Sequence, residues 1–196
     1  VTTNRFLNDV FRTTPPADLR RMNGDKLQAM DVHPEIADAY LHNGVFSPRE
    51  QTLLVHALDA MPGVDNRAAF IRVATTTPNR PMAFFRERQA EMYAGYHKAV
   101  ATLSSFVALG ELAAARTGNG ALVFCVPLDY LVWTEPMATF ITAANKVIEE
   151  AGAQDKQLWV TGSLSPEARK AMESRGWQVH EHSEARLFKW TEGHPK

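Results

Sequence analysis

Apolar residues along this chain follow two rhythms, and the change between them falls near residue 105. Before it they recur every three or four positions, the spacing of one face of a helix. Phe6, Leu7, Val10 and Phe11 predict a first helix, which Thr13-Thr14-Pro15-Pro16 ends. Pro16 opens a second with Leu19, Met22, Leu27 and Met30, and Asn23-Gly24 is expected to interrupt it. His33-Pro34 starts a short third segment with Ile36, Ala37 and Tyr40, closed by Asn43-Gly44. Helices this short are marginal alone, so they must dock on something.

At Ser47 the pattern sharpens. Ser47-Pro48-Arg49-Glu50 has the form of a capping box, a serine followed three positions later by a glutamate. Leu53, Leu54, Ala57, Leu58 and Met61 then share one face of a helix that Pro62-Gly63 stops. Asp65 is placed to cap another, with Ala69, Phe70, Val73 and Ala74. A longer helix begins after Pro78 or Pro81 and reaches about Val100. Its apolar side reads as Phe84, Phe85, Met92, Tyr93 and Tyr96, and its wet side as Arg86, Glu87, Arg88 and Glu91. Short connections between these helices predict a small bundle.

Residues 106–120 admit two readings. Glu111 to Arg116 has high helix propensity. Thr117-Gly118-Asn119-Gly120, however, is hairpin-turn chemistry leading into the apolar run Leu122 to Val126, and the hairpin is the preferred reading.

Beyond this point strands and helices alternate. Met137, Phe140, Ile141, Ala144, Val147 and Ile148 mark a helix starting near Pro136 and ending at Gly152. Leu158-Trp159-Val160 is a strand; Ser165-Pro166-Glu167 caps and starts a helix; Gly176 ends it; Trp177 and Val179 resume a strand. A last strand is expected at 185–190. Alternation of this kind implies parallel neighbours joined by crossovers. The fold class is therefore α/β, or α+β. A helical, bundle-like region over 1–104 packs on a small, mostly parallel sheet with crossover helices and a β-hairpin over 105–190. A flexible tail at 191–196 follows, the whole forming one compact unit.

Composition narrows the function classes. Of 196 residues 45% are hydrophobic and 22% charged, which suits a globular chain with a real core. With 21 basic and 22 acidic residues the formal charge is −1, so no bulk field draws the chain to nucleic acid. No run approaches the roughly 18 to 20 apolar residues that span a bilayer. Cys125 is the single cysteine and sits in the apolar run L-V-F-C-V-P, where it reads as a buried small hydrophobe. The first residue is Val, and the expectation leans to an exported or larger precursor over a cytoplasmic protein.

In an open parallel sheet, ligands bind beyond the carboxyl ends of the strands. Three segments are expected to meet there: Pro127 to Tyr130, Thr161 to Ser165, and His180 to Glu184. Thr161, Gly162, Ser163 and Ser165 offer hydroxyls and helix-start N–H groups to a small anion, although the loop has neither a dinucleotide fingerprint nor a P-loop lysine. Ser165 is equally explained as a helix cap. His180 and His182, two apart, share one face if the strand continues, and both imidazoles then reach one metal; a further ligand would have to come from Asp129, Glu184 or His194. Asp129 is a carboxylate placed to act as a base, with Tyr130 and Glu135 nearby, though turn capping accounts for it too. Asp129, Ser163 and His180 are thus the catalytic candidates. No G-x-S-x-G element is present, and nothing in the sequence calls for a cofactor. Trp133, Trp159, Trp177 and Trp190 read as core packing before a binding surface.

The leading expectation is a non-catalytic binding or assembly domain, part of a larger exported bacterial protein, whose partner is a protein or a small anion. The rival is a small hydrolase or transferase using the rim of Asp129, Thr161, Ser163 and the two histidines. An enzyme would gather those side chains about one ligand position, whereas a binding module would use them as caps and expose an apolar patch.

Overall fold

The computed structural model describes residues 3–150, 152 and 155–188. Six helices come first: α1 (Thr3–Thr13), α2 (Pro16–Ala29), α3 (Pro34–Leu41), α4 (Pro48–Asp59), α5 (Arg67–Thr75) and α6 (Arg80–Ala99). Strands β1 (Leu103–Leu109), β2 (Leu112–Thr117), β3 (Leu122–Val126) and β4 (Tyr130–Leu131) follow, then α7 (Glu135–Glu150). The chain continues through β5 (Lys156–Val160), β6 (Ser163–Leu164), α8 (Pro166–Glu173), β7 (Trp177–His180) and α9 (Glu184–Leu187).

The larger sheet has the order β1-β2-β3-β5-β7. The first three strands pair antiparallel as hairpins, and β3, β5 and β7 run parallel. The mixed sheet with helices first and strands later is the predicted α/β class. Helix α7 bridges β3 and β5, and α8 bridges β5 and β7, as a parallel arrangement demands. The sheet is buried on both faces. Val123, Cys125 and Trp159 join one core with Leu27, Leu54, Leu58, Phe70, Tyr93 and Leu187 from the helices. Phe124, Leu158, Val160 and Trp177 join a second with Ile141, Ala144, Ile148 and Met172. The alternation follows from the two-residue period of a strand, and the N-terminal helices gain the surface that they need.

Local signals placed several boundaries. Ser47 and Glu50 form the reciprocal capping box at α4, and Ser165 Oγ accepts from Ala168 N at 3.1 Å to cap α8. Gly176 ends α8 at φ +78°. The 106–120 segment is the hairpin, with the Thr117–Gly120 turn closed at Gly120, φ +88°. Trp159 and Trp177 are core residues, each 3% exposed, and Cys125 is fully buried.

Five expectations are corrected. Helix α2 runs through Asn23-Gly24 without a break: Asn23 is buried and donates to Thr52 Oγ1 at 3.0 Å, so tertiary packing outweighs the weak local propensity. Asp65 does not cap α5; Asn66, at φ +54°, precedes it, and the Asp65 backbone instead bridges to β1 through Ser104 O and Phe106 N. Phe84 lies exposed rather than in the core. The strand expected at 185–190 is a helix, α9, as far as Leu187, and its last positions, with Trp190, lie outside the described residues. The tail at 191–196, with His194, lies outside them as well.

The fifth correction concerns α6, whose supposed wet face is buried at Arg86, Glu87 and Glu91. Glu87 and Glu91 hydrogen-bond to each other, with Glu50 near Glu87 and Arg88 on Glu91. For Arg86 the reason is a split in the sheet. Strands β2 and β3 pair at Ala115–Val123 and Arg116–Leu122, and the next rung would join Ala113 to Cys125. Tyr93 occupies that rung. Its hydroxyl donates to Ala113 O at 2.8 Å and accepts from Cys125 N at 3.2 Å. Gln89 Nε2 donates to Cys125 O at 2.9 Å, and Arg86 donates to Glu111 O at the hairpin tip. Spacing of three and four places Arg86, Gln89 and Tyr93 on one helical stripe, so α6 satisfies the backbone groups that the diverging strands leave open. Tyr93→Phe is expected to cost about 2 kcal/mol, the penalty for buried backbone groups without partners. Urea denaturation measures it, and a loss below about 0.5 kcal/mol would mean that the strands simply close.

Candidate functional site

The three segments expected at the carboxyl ends of β3, β5 and β7 do come together, and their backbones fasten them. Thr161 N donates to Val126 O, Gly162 N to Leu128 O at 2.9 Å and Ser163 N to Asp129 O at 3.0 Å. Past this point β4 and β6 form a short parallel ladder, Tyr130 beside Ser163 and Leu131 beside Leu164. Gly162 is required by the approach: a Cβ there would fall inside the van der Waals shell of the Asp129 carbonyl. The third segment closes over the second through His182 N to Gly162 O at 2.8 Å and Ser183 Oγ to Val160 O at 2.7 Å.

Between these loops and α6 lies a cleft of about 510 Å³, lined by Phe84, Arg88, Pro127, Asp129, Ser163 and His182 among others. Arg88 donates to Glu91 Oε2 at 2.6 Å, lies 3.6 Å above the Phe188 ring and stands 3.9 Å from Glu184. Glu91 also takes a hydrogen bond from Glu87, whose carboxyl is pushed up to about 9, first by burial and then by the charge of Glu91. Glu87 therefore keeps its proton at neutral pH, and Glu91 carries the charge that Arg88 answers. Because Arg88 is so matched, the Asp129 and Glu184 carboxylates leave the cleft negative.

The anticipated site residues take distinct places. Thr161 Oγ1 donates to Leu128 O at 2.9 Å, and Ser165 Oγ is the cap of α8. The N–H groups of residues 161 to 165 are all bound to protein oxygens, that of Leu164 to the Glu181 carboxylate, which Arg169 holds from the other side. An anion at this loop thus meets the Ser163 hydroxyl rather than a row of backbone donors. His180 and His182 do not share a strand face, since β7 ends at His180 and His182 adopts φ +51°. The His180 ring stacks on Trp159, centroids 4.0 Å apart and planes at 16°, and burial lowers its pKa, helped by Arg186. His182 lines the cleft in its stead. Among the described residues no group of three metal-ligating side chains converges, and Asp129 and Ser163 are joined through their backbones, Ser163 N to Asp129 O, rather than through side chains. Glu135 stands exposed at the start of α7.

Sequence reasoning missed the apolar component. Among the described residues the large apolar side chains left exposed are Phe84 (57%), Leu128 (39%), Tyr130 (56%) and Val132 (50%). Three fall within the short segment 128–132, which bends at Asp129, and Phe84 lines the cleft beside Pro127 and Asp129. The run was visible in L-D-Y-L-V, but an apolar run after a strand reads as more core until the buried partner of each position is known. Comparison with protein-family models, curated proteins and solved structures finds no match to this chain.

Proposed function

We propose that this chain is a non-catalytic binding or assembly domain that receives a protein partner on the rim formed by residues 127–133 and the cleft beside it. The observation that carries the reading is the exposure of Leu128, Tyr130 and Val132 within five residues, with Phe84 at the neighbouring cleft. Large apolar side chains gathered in one place mark interaction surfaces, whereas isolated ones need no explanation. The hydroxyls and rings that an enzyme would turn to chemistry support the same reading. Thr161 and Ser165 bind backbone groups, and His180 packs on Trp159.

The rival, a small hydrolase or transferase, draws on one feature: Asp129, Ser163 and His182 line a common cleft. One pair of experiments separates the two. A photo-crosslinking phenylalanine analogue at Tyr130, introduced in cells that produce the chain, is expected to give a discrete protein adduct. The same analogue at exposed Thr142 on α7 should give none, and Val132→Asp should abolish the Tyr130 adduct. Turnover of ester or phosphoester substrates that disappears in Ser163→Ala would overturn the binding reading.

A further inference from the structure

Building on that reading of the rim, we infer that the partner binds as an added strand: an extended segment alternating apolar residues with lysine or arginine pairs with the outer edge of β4. The backbone provides the first support. Ser163 N and Ser165 N donate to Asp129 O and Leu131 O, so Asp129 and Leu131 turn their polar groups towards β6. Successive residues of a ladder face opposite edges, which directs the Tyr130 N–H and C=O outward. Among the described residues neither of these groups has a hydrogen bond. The far edge of β6 is closed by contrast, its Leu164 N–H donating to Glu181.

Side chains provide the second. Proteins blunt open edges with short strands, charged side chains, proline or a covering element, and here the blunting is the two-residue length of β4 and Asp129 before it. The stretch 128–134 has neither lysine nor proline, and past the bend at Asp129 it leaves Tyr130 and Val132 exposed on either side of buried Leu131. A strand laid against it would set its own apolar side chains beside Tyr130 and Val132, the arrangement by which strand addition combines main-chain affinity with side-chain selection.

Charge selects the occupant. Asp129, at the bend before β4, lines the cleft with Glu184, while Arg88 is already matched by Glu91 at 2.6 Å. A second copy of the chain would bring a second negative cleft to the first, whereas basic residues alternating with the apolar ones meet carboxylates.

The test titrates the full chain with an acetylated heptapeptide of alternating lysine and valine, read by fluorescence anisotropy and by amide NMR. Saturable binding that shifts the Tyr130 and Val132 amides is expected, with a glutamate–valine peptide at least about tenfold weaker. Asp129→Asn combined with Glu184→Gln should weaken the lysine peptide by about fivefold, the scale of two exposed ion pairs. Of two versions N-methylated at alternate amides, the one blocked on the pairing edge should fail and the other bind. Equal binding by both would overturn strand addition while leaving the rim a docking face. No binding by the lysine peptide also overturns it, and only the absence of a Tyr130 adduct in cells would remove the docking face as well. A concentration-dependent dimer that the peptide disperses would assign the edge to a second copy and equally overturn the inference.

Discussion

Gly162→Ala is expected to destabilise the protein by about 3 kcal/mol or more, the scale of forcing an extra carbon into a packed site and parting several hydrogen-bonded groups. The added carbon has the Asp129 carbonyl as its neighbour, a backbone atom that cannot swing aside as a long side chain would. Relief requires the 127–131 and 161–165 segments to separate. That breaks the bonds from Gly162 N, Ser163 N and Ser165 N together with the one from Thr161 Oγ1. Gly44→Ala is the internal control, since a Cβ there meets nothing within 4 Å. It should fall within about 0.5 kcal/mol of the parent. Urea midpoints measure both, and amide exchange at residues 161–165 should quicken in the first variant alone. A Gly162 variant as stable as the Gly44 one would show that the two loops are not held in the close contact described.

Glu87→Gln is expected to stabilise the protein at alkaline pH, with the gain fading to nothing in acid. The Glu87 carboxyl rises from an ordinary 4.5 to about 9 in the folded chain, through burial first and then the charge of Glu91 and its hydrogen bond. Between those values the folded state holds a proton that the unfolded chain has released. Stability therefore falls as pH rises across that window, and it is complete only below the unfolded value. Glutamine keeps a donor for Glu91 and removes the titration. At pH 8 the variant should exceed the parent by on the order of 3 kcal/mol, and below pH 5 the two should converge. Parallel stability curves from pH 4 to 9 would mean that Glu87 is ionised in the fold and that Glu91 alone does not account for Arg88.

Both effects arise where the sequence was hardest to read, and for different reasons. In the sequence Gly162 is one of four residues offering groups to a small anion. What makes glycine necessary there is the backbone of Asp129, 33 positions earlier, and no local pattern encodes that approach. Arg86, Glu87, Arg88 and Glu91 formed a charged stripe, which on an isolated helix is a solvent face. Arg86 is buried because strands β2 and β3 diverge and leave open backbone groups for α6 to meet, and Glu87 and Glu91 because they bond to each other beside Arg88. Phe84 shows the converse, an aromatic residue at a core-like position left exposed on the cleft that it lines with Pro127. The His180 and His182 pairing failed because the second histidine lies beyond the strand, at a positive φ that carries the chain back over Gly162.

By itself the sequence determined what depends on neighbours a few positions away. The capping box at Ser47, the Ser165-Pro166 helix start, the stops at Gly152 and Gly176, the hairpin at Gly120 and the strand–helix–strand order of the second half all rest on backbone conformation and short-range hydrogen bonds. Those forces act identically wherever the segment sits. Tertiary structure alone decided which polar groups are buried, which apolar ones are left bare, and which loop backbones touch. Burial is a property of the surface laid over a residue, and here that surface comes from segments far along the chain.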